Sequence, residues 1–383
     1  MDFELNEEQE ILKNTARDFM QREVIPIAGE YDKNKKFPPR ELIKKMIPIG
    51  YIGTVVPEEY GGHGGDYLCY FILVEELAKA WPSLRTIITT VEAVINMIFN
   101  EGSEEQKRRF LPNLLSARVL SFVGITEPNV GSDAGSIETK AVLDGDYFVI
   151  NGTKILITNG SMADLGLVFC STDKRKGPKG ISALVVEKEI SPYQARDIEK
   201  MGMDASVLSE IVFEDCHVPK ANMLGRDGEG LKIALSLLGV GRCVVAFSVV
   251  GVAEACIEAC IKYAKERRQF GKPIGSFQLV QEMIVEMVVE TEAARLLAFK
   301  AGTMVNQGKR CVKEASIAKL YSSEAALRVA HKAIQIHGGY GYTREFPVER
   351  FYRDIRHLTM AEGTSEIQKL IIGREIIGIS AFV

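Results

Sequence analysis

Residues 145–160 read GDYFVINGTKILITNG: two short runs of β-branched and aromatic residues, each closed by Asn-Gly. Runs of this kind, bounded by turn formers, predict strands. Three more follow, ADLGLVFCSTD at 163–173, GISALVVEK at 180–188 and LSEIVFEDCHVP at 208–219. On either side of this β-rich stretch the apolar pattern changes to helical spacing. Upstream, Ile11, Leu12, Ala16, Phe19, Met20 and Val24 recur with that spacing, and Pro26 stands where a stop is expected. The glycine-rich VPEEYGGHGGD (56–66) precedes a second helix, YLCYFILVEELAKAW, and Pro82 opens a third. Downstream, GLKIALSLLGVGR (230–242), VAEACIEACIKYAKERRQFG (252–271) and QLVQEMIVEMVVETEAARLLAFKAGTMVNQG (278–308) are helical, with glycine breaks near 271, 308 and 338. The expected class is α+β in three blocks: an N-terminal helical domain over 1–118, a middle β-barrel or sandwich over 119–228, and a C-terminal four-helix bundle over 229–383.

Size and charge narrow the function. A chain of 383 residues exceeds one ordinary core, and its 46% hydrophobic and 26% charged content is that of a globular protein. Lys and Arg number 47 against 51 Asp and Glu, a net charge of 47 − 51 = −4 without long like-charge runs. That balance argues against nucleic acid or a charged membrane surface as partner. No run of about twenty uncharged apolar residues marks a membrane span. The acidic start MDFELNEEQEIL lacks the basic and apolar regions of a signal peptide, so a cytoplasmic protein without membrane insertion is expected. The seven cysteines lie in apolar or helical stretches and read as reduced packing residues. Cys256 and Cys260 share a helix face, yet no His or acidic cluster joins them, and no metal site is expected. The α, β, α order has no βαβ units, and GGYGY after QIH does not follow a strand, which argues against a Rossmann nicotinamide enzyme.

Three clusters carry candidate chemistry. Gly124 to Ser136 (GITEPNVGSDAGS) offers hydroxyls and glycine-exposed amides suited to carbonyl or anionic oxygens, and reads equally as a turn-rich connection. Lys154 to Gly160 is a strand ending in a turn, with Thr158 offering a hydroxyl. In MAEGTSEIQ (360–368), Ser365 and Gln368 have capping-box spacing, so Glu362 lies in the loop before a helix. Glu362 is there either an acid favoured by the helix dipole or a carboxylate aimed at a substrate. Arg242 sits inside an apolar helix and needs a partner. Arg267 ends a helix, where its charge is favourable.

These segments, in this order, resemble the acyl-CoA dehydrogenase family along the whole chain: PEEYGG (57–62), GITEPNVGSD (124–133), NGTKILITNG (151–160), FEDCHVP (213–219), RRQFGKPI (267–274), QIHGGYGY (335–342), RFYRD (350–354) and AEGTSEIQ (361–368). The resemblance implies an oxidoreductase, a flavoprotein using FAD. It implies that the stretch from Phe122 through Val123, Ile125, Thr126 and Gly131 to Ser132 lines the flavin, with Leu156, Ile157 and Thr158, the Thr158 hydroxyl bonding flavin N5. It further implies that Arg267, Phe270, Gln278, Gln335, Ile336, His337, Gly338 and Gly339 hold FAD, partly from a neighbouring subunit, as do Thr364, Ser365 and Glu366. A homo-oligomer, commonly a homotetramer, and an electron-transferring flavoprotein as acceptor are implied as well. Ser132, Arg242 and Gly363 match substrate-contacting positions, and Glu362 matches the base that removes the α-proton of an acyl-CoA thioester.

Departures from the family pattern sharpen this. Some members carry the base immediately before the arginine matching Arg242; here that position is Gly241, which leaves Glu362 as base. Leu156 stands where many members have Trp or Phe. Arg85, beside the apolar row Leu84, Ile88, Val91 and Ile95, matches the arginine that clamps the distal carboxylate in glutaryl-CoA dehydrogenases, and reads equally as a solvated helix-surface residue. Ala361 and Ala78 replace the tyrosine and glutamate of decarboxylating glutaryl enzymes, so loss of CO2 is not expected. Ala361, Met360, Val91 and Thr90 also suit a pocket for a short, branched or cyclic group such as cyclohexane-carboxyl-CoA. A flavin or acyl-CoA binding protein without turnover is the non-enzymatic alternative.

Overall fold

The computed structural model describes residues 5–236 and 238–382. Asn6 opens α1 (Glu7–Phe19): its side chain accepts the Gln9 N–H, and the Gln9 side chain accepts the Asn6 N–H. Two donors orphaned at a helix start are thereby satisfied. Pro26, expected as a stop, is not one. The chain widens into a π-turn over Met20–Val24 and resumes as α2 (Ile25–Lys33), with Pro26 in its first turn. Proline lacks an N–H, but a first-turn N–H has no partner within the helix to lose. After α3 (Arg40–Met46) come α4 (Tyr67–Ala80), α5 (Pro82–Glu101) and α6 (Glu104–Leu115). Pro82 does open α5, whose Leu84, Ile88, Val91, Ile95 and Ile98 form a fully buried stripe.

The middle of the chain forms eight strands: β1 (Ser121–Gly124), β2 (Lys140–Asp144), β3 (Tyr147–Thr158), β4 (Leu165–Ser171), β5 (Ile181–Glu187), β6 (Gln194–Asp197), β7 (Leu208–Pro219) and β8 (Met223–Leu224). They make one mixed sheet in the order β6-β7-β3-β2-β4-β5-β8, with β1 added parallel to β4. Inner-face residues such as Phe122, Phe148, Ile150, Val168, Leu184, Phe213 and Val218 form its own core. The other face of β4 and β5 (Leu165, Leu167, Phe169, Ala183, Val185) joins the core of the N-terminal helices. Every residue of β4 is therefore buried, which explains its unbroken apolar run.

Helices return as α7 (Gly230–Ser236), α8 (Leu238–Glu266), α9 (Gln278–Asn306), α10 (Val312–His337), α11 (Val348–Ile355) and α12 (Ser365–Ile377), with a hairpin of β9 (Arg268–Gln269) and β10 (Lys272–Pro273) after α8. α8, α9 and α10 pack together, α12 packs on α10, and α4 of the first block packs on α8. At that crossing a Cβ on Gly251 would lie 2.2 Å from the Glu75 carbonyl oxygen, so the approach requires glycine. Arg295 of α9 pairs there with Glu75 and Glu254. Within residues 230–266 an 18-residue window of mean hydropathy 2.2 is apolar enough to cross a membrane by composition, yet 59% of that window is buried inside this chain. All seven cysteines are free, six of them buried.

Candidate active site

The loop before α12 meets the start of α8 at Glu362. Both Glu362 (φ 55°) and Gly363 (φ 87°) are left-handed. Glycine adopts this freely, whereas a glutamate held there costs roughly 1–3 kcal/mol and persists only where its surroundings enforce it. The Glu362 carboxylate rests against Gly241: a Cβ built on that glycine would lie 2.6 Å from Oε2 and 3.0 Å from Cδ. A side chain at 241 and the glutamate at 362 thus compete for one volume.

The expected capping box does not form. Thr364, not Ser365, is the N-cap, its hydroxyl accepting the Ile367 N–H at 3.3 Å. Ser365 instead donates its hydroxyl to Glu324 at 2.6 Å. Among the described residues, neither the Glu362 nor the Gly363 N–H donates to a protein acceptor, while both carbonyls are engaged from behind by side chains.

Crowding by protein raises the Glu362 carboxyl above the ordinary carboxylate range, against the opposing charges of Arg242, Lys319 and Arg85. Its side chain still has substantial accessible surface. Neighbouring protein atoms crowd the carboxylate while solvent still reaches the residue. The crowding governs the direction of the shift, and the solvent limits its size.

Arg85 and Arg242 are each only 4% exposed. Arg85 is therefore not a solvated surface residue. Among the described residues, its Nε and Nη2, and the Nε of Arg242, are buried without a partner. Burial lowers the Arg85 guanidinium to about 10, against the charges of Tyr70, Glu362 and Asp354. A desolvated guanidinium without partners is costly, and an acceptor carried by a ligand would relieve it. Val91, expected at a pocket wall, is instead fully buried in the N-terminal core, as its place in the apolar stripe of α5 dictates.

Two further residues belong to this region and escaped the sequence reading. Tyr70 on α4 is 3% exposed, and its phenol is raised by burial and by Glu92, with Arg85 and Glu362 also close enough to be felt. Glu92 on α5 is fully buried; one carboxyl oxygen accepts the Gly53 N–H and the other has no partner. Burial lifts it to about 8. An acid inside an otherwise apolar stripe was the available sign.

A second set of groups surrounds the end of β3. A bulge between Lys154 and Ile157 puts Leu156 at φ 60° with 55% of its surface exposed, beside Thr158. The Thr158 hydroxyl makes no hydrogen bond among the described residues. Asn159, fully buried, donates to the Ile87 and Ser121 carbonyls, both at 3.1 Å, and so ties α5 to β1. Buried Lys154 pairs with Glu127 at 2.7 Å and donates to the Ile125 carbonyl at 3.1 Å. Glu127 in turn accepts the Glu138 and Thr139 N–H groups, which fixes the loop carrying Thr126, Gly131 and Ser132. A Cβ at Gly131, Gly338 or Gly339 would meet nothing within 4 Å, so these backbones lie open.

The structure separates some predicted residues from this set. Phe122 and Ile157 turn into the core of the sheet, and Ile336 into the core of the bundle, because each alternates onto an apolar face. They can offer a ligand backbone only. Val123 and Ile125 pack partly on the N-terminal core. His337 stacks on Tyr263 at 4.3 Å and places Nδ1 on the Ala333 carbonyl, with Nε2 buried and unpartnered. Gln335, Glu366 and Gln278, the first residue of α9, are exposed. Arg267 lies over the Tyr340 ring at 5.7 Å, and Phe270 at the hairpin tip is 92% exposed. Free hydroxyls, an apolar cover at Leu156 and open glycine backbones suit a flat conjugated ring with a polar edge and a phosphate-bearing tail.

The comparisons agree with this geometry. The N-terminal, middle and C-terminal domain models of acyl-CoA dehydrogenase match residues 6–118, 123–216 and 228–377. A short-chain specific acyl-CoA dehydrogenase of Clostridium acetobutylicum is 43% identical over 98% of this chain and 100% of its own. A subunit of the caffeyl-CoA reductase–Etf complex of Acetobacterium woodii is 39% identical over 96% of this chain and 97% of its own. The solved complex of glutaryl-coenzyme A dehydrogenase with glutaryl-CoA superimposes with a TM-score of 0.96 at 40% identity, covering 99% of this chain and 97% of the other. Helices, sheet and helices in this order, matched along the whole chain, mark an oxidoreductase. The chain belongs to the acyl-CoA dehydrogenase family, whose members are FAD-dependent flavoproteins.

Proposed function

We propose that this acyl-CoA dehydrogenase acts on a short acyl-CoA with a distal carboxylate, with Glu362 as base and Arg85 as carboxylate clamp. The buried, unpartnered Arg85 carries the substrate reading. A uniformly uncharged acyl group would leave that guanidinium unpaired, whereas a carboxylate forms charge-assisted hydrogen bonds with it. Ala361 and Ala78 support oxidation without loss of CO2. FAD, when bound, would supply the hydride acceptor for the β-hydrogen. Glu362 receives the α-proton, and its raised pKa suits a base that must hold that proton. The free Glu362 N–H serves the enolate oxygen as a positioned donor. Thr126, Leu156, Thr158, Ser132, Thr364 and Glu366 would hold FAD, with Arg267, Gln278, Gly338 and Gly339 reaching it across a subunit boundary; Arg242 and Gly363 would contact the acyl-CoA.

Three companion proposals concern the protein's setting. An electron-transferring flavoprotein accepts the electrons, a reading supported by the Etf complex to which the A. woodii relative belongs. The assembly is a homotetramer, and the seven free cysteines support a cytoplasmic home.

Turnover of butyryl-, isobutyryl-, glutaryl-, benzylsuccinyl- and cyclohexane-carboxyl-CoA with an artificial acceptor tests the substrate. Dicarboxylic substrates should be preferred, and Arg85→Met should lower kcat/KM for them about 100-fold while sparing butyryl-CoA. A preference for uncharged or cyclic substrates would remove the clamp, and a yellow protein that no acyl-CoA bleaches would leave only a binding role.

A further inference from the structure

Lys319 and Gln368 are both fully buried, a lysine and a glutamine inside a helical core. Each spends its donors on the loop around Glu362. Lys319 Nζ, from α10, donates to the Thr359 carbonyl at 2.9 Å and the Gly363 carbonyl at 2.8 Å. Gln368 Nε2, from α12, donates to the Glu362 carbonyl at 2.9 Å and the Gly363 carbonyl at 3.0 Å. Three carbonyls over five residues are thereby held, and the two consecutive left-handed residues carry two of them. The Glu362 carbonyl shares its peptide plane with the Gly363 N–H, and the Gly363 carbonyl with that of Thr364, so these bonds fix the two planes that follow the left-handed residues. Left-handed glutamate is an unfavourable conformation, and these four bonds are what the structure supplies to enforce it.

We propose that Lys319 and Gln368 are positioning residues for the base: together they hold the left-handed Glu362–Gly363 backbone so that the Glu362 carboxylate faces the substrate. This rests on Glu362 being the base. The two members differ in charge. Burial lowers the Lys319 ammonium to about 8, so it is still charged at neutral pH. Facing it are Glu362 from the loop, Glu324 on its own helix, Arg242 on α8 and Glu366 on α12. Its charge opposes the rise in the Glu362 carboxyl, whereas Gln368 contributes geometry alone.

Lys319→Met and Gln368→Met holoenzymes separate these roles. Both should retain flavin colour and bind an enoyl-CoA product nearly as the parent does, while bleaching by substrate falls about 100-fold, the scale of an ångström of misplacement. A 3-thia acyl-CoA, whose acidic α-proton can be removed without hydride transfer, should give a weakened charge-transfer band in both. An ionised base is required, so the rate rises with pH through the Glu362 acidity constant. That limb should move to higher pH in Lys319→Met and stay in place in Gln368→Met. If Lys319→Met fails to fold, a slowed Gln368→Met with unaltered product affinity still supports the clamp. Parent-like bleaching in Gln368→Met overturns it, as does an unmoved pH limb in a folded Lys319→Met. Glu362→Gln is the control: if it bleaches normally, the base assignment is wrong. If it is inactive while both clamp variants are unimpaired, the clamp alone is wrong.

Discussion

Glu92 shows how burial of one carboxyl makes stability depend on pH. Its folded-state value is about 8 against 4.5 in the unfolded chain. A raised carboxyl contributes stability that is full below the unfolded value and lost as pH rises through the folded one. Relative to Glu92→Gln, the parent should lose up to about 1.4 kcal/mol per pH unit between those limits and level off above them. Thermal unfolding across that range checks this, and parallel curves would mean Glu92 stays ionised. Glu362 was legible as a residue because its segment matches a family pattern. Tyr70, Glu92 and Lys319 were not, since each gains its meaning from partners far away along the chain. The Lys319 bonds span 40 and 44 residues, a separation that no local spacing records.

At the scale of elements, α8 leaves the room that the Glu362 carboxylate occupies. Gly241 costs this helix about 0.5–1 kcal/mol relative to alanine, yet a methyl there would strike the Glu362 carboxylate. Gly241→Ala should therefore raise the melting temperature slightly and slow flavin bleaching about 100-fold. Alanine that left the bleaching rate intact would show that the carboxylate has room to shift without consequence. Helices and strands followed from apolar period and turn formers. The errors came at joints: Pro26 is accommodated by a π-turn, and the N-cap falls on Thr364. In both places several local solutions satisfy the same residues, and tertiary packing selects one.

Over the whole molecule, α9 leaves an apolar row uncovered: Leu279 is 72% exposed, Val285 59%, Val289 62% and Leu296 51%. With Phe270 at 92% and Tyr342 at 90%, that is more than isolated surface residues explain, and it supports association of copies. Val285→Lys combined with Val289→Lys should lower the assembly mass in sedimentation and weaken FAD retention. An unchanged mass would place the interface elsewhere.

By itself the sequence determined the order of helical, β and helical blocks, the family, and the segment that holds the carboxylate. Periodicity and motif are local properties, written within a few residues of one another. Only the tertiary structure decided that Glu362 lies against Gly241, that Arg85 is buried without a partner among the described residues, and that Lys319 and Gln368 bond the loop carrying Glu362. Burial and hydrogen-bond partnership are relations between distant segments, and they exist only once the chain has packed.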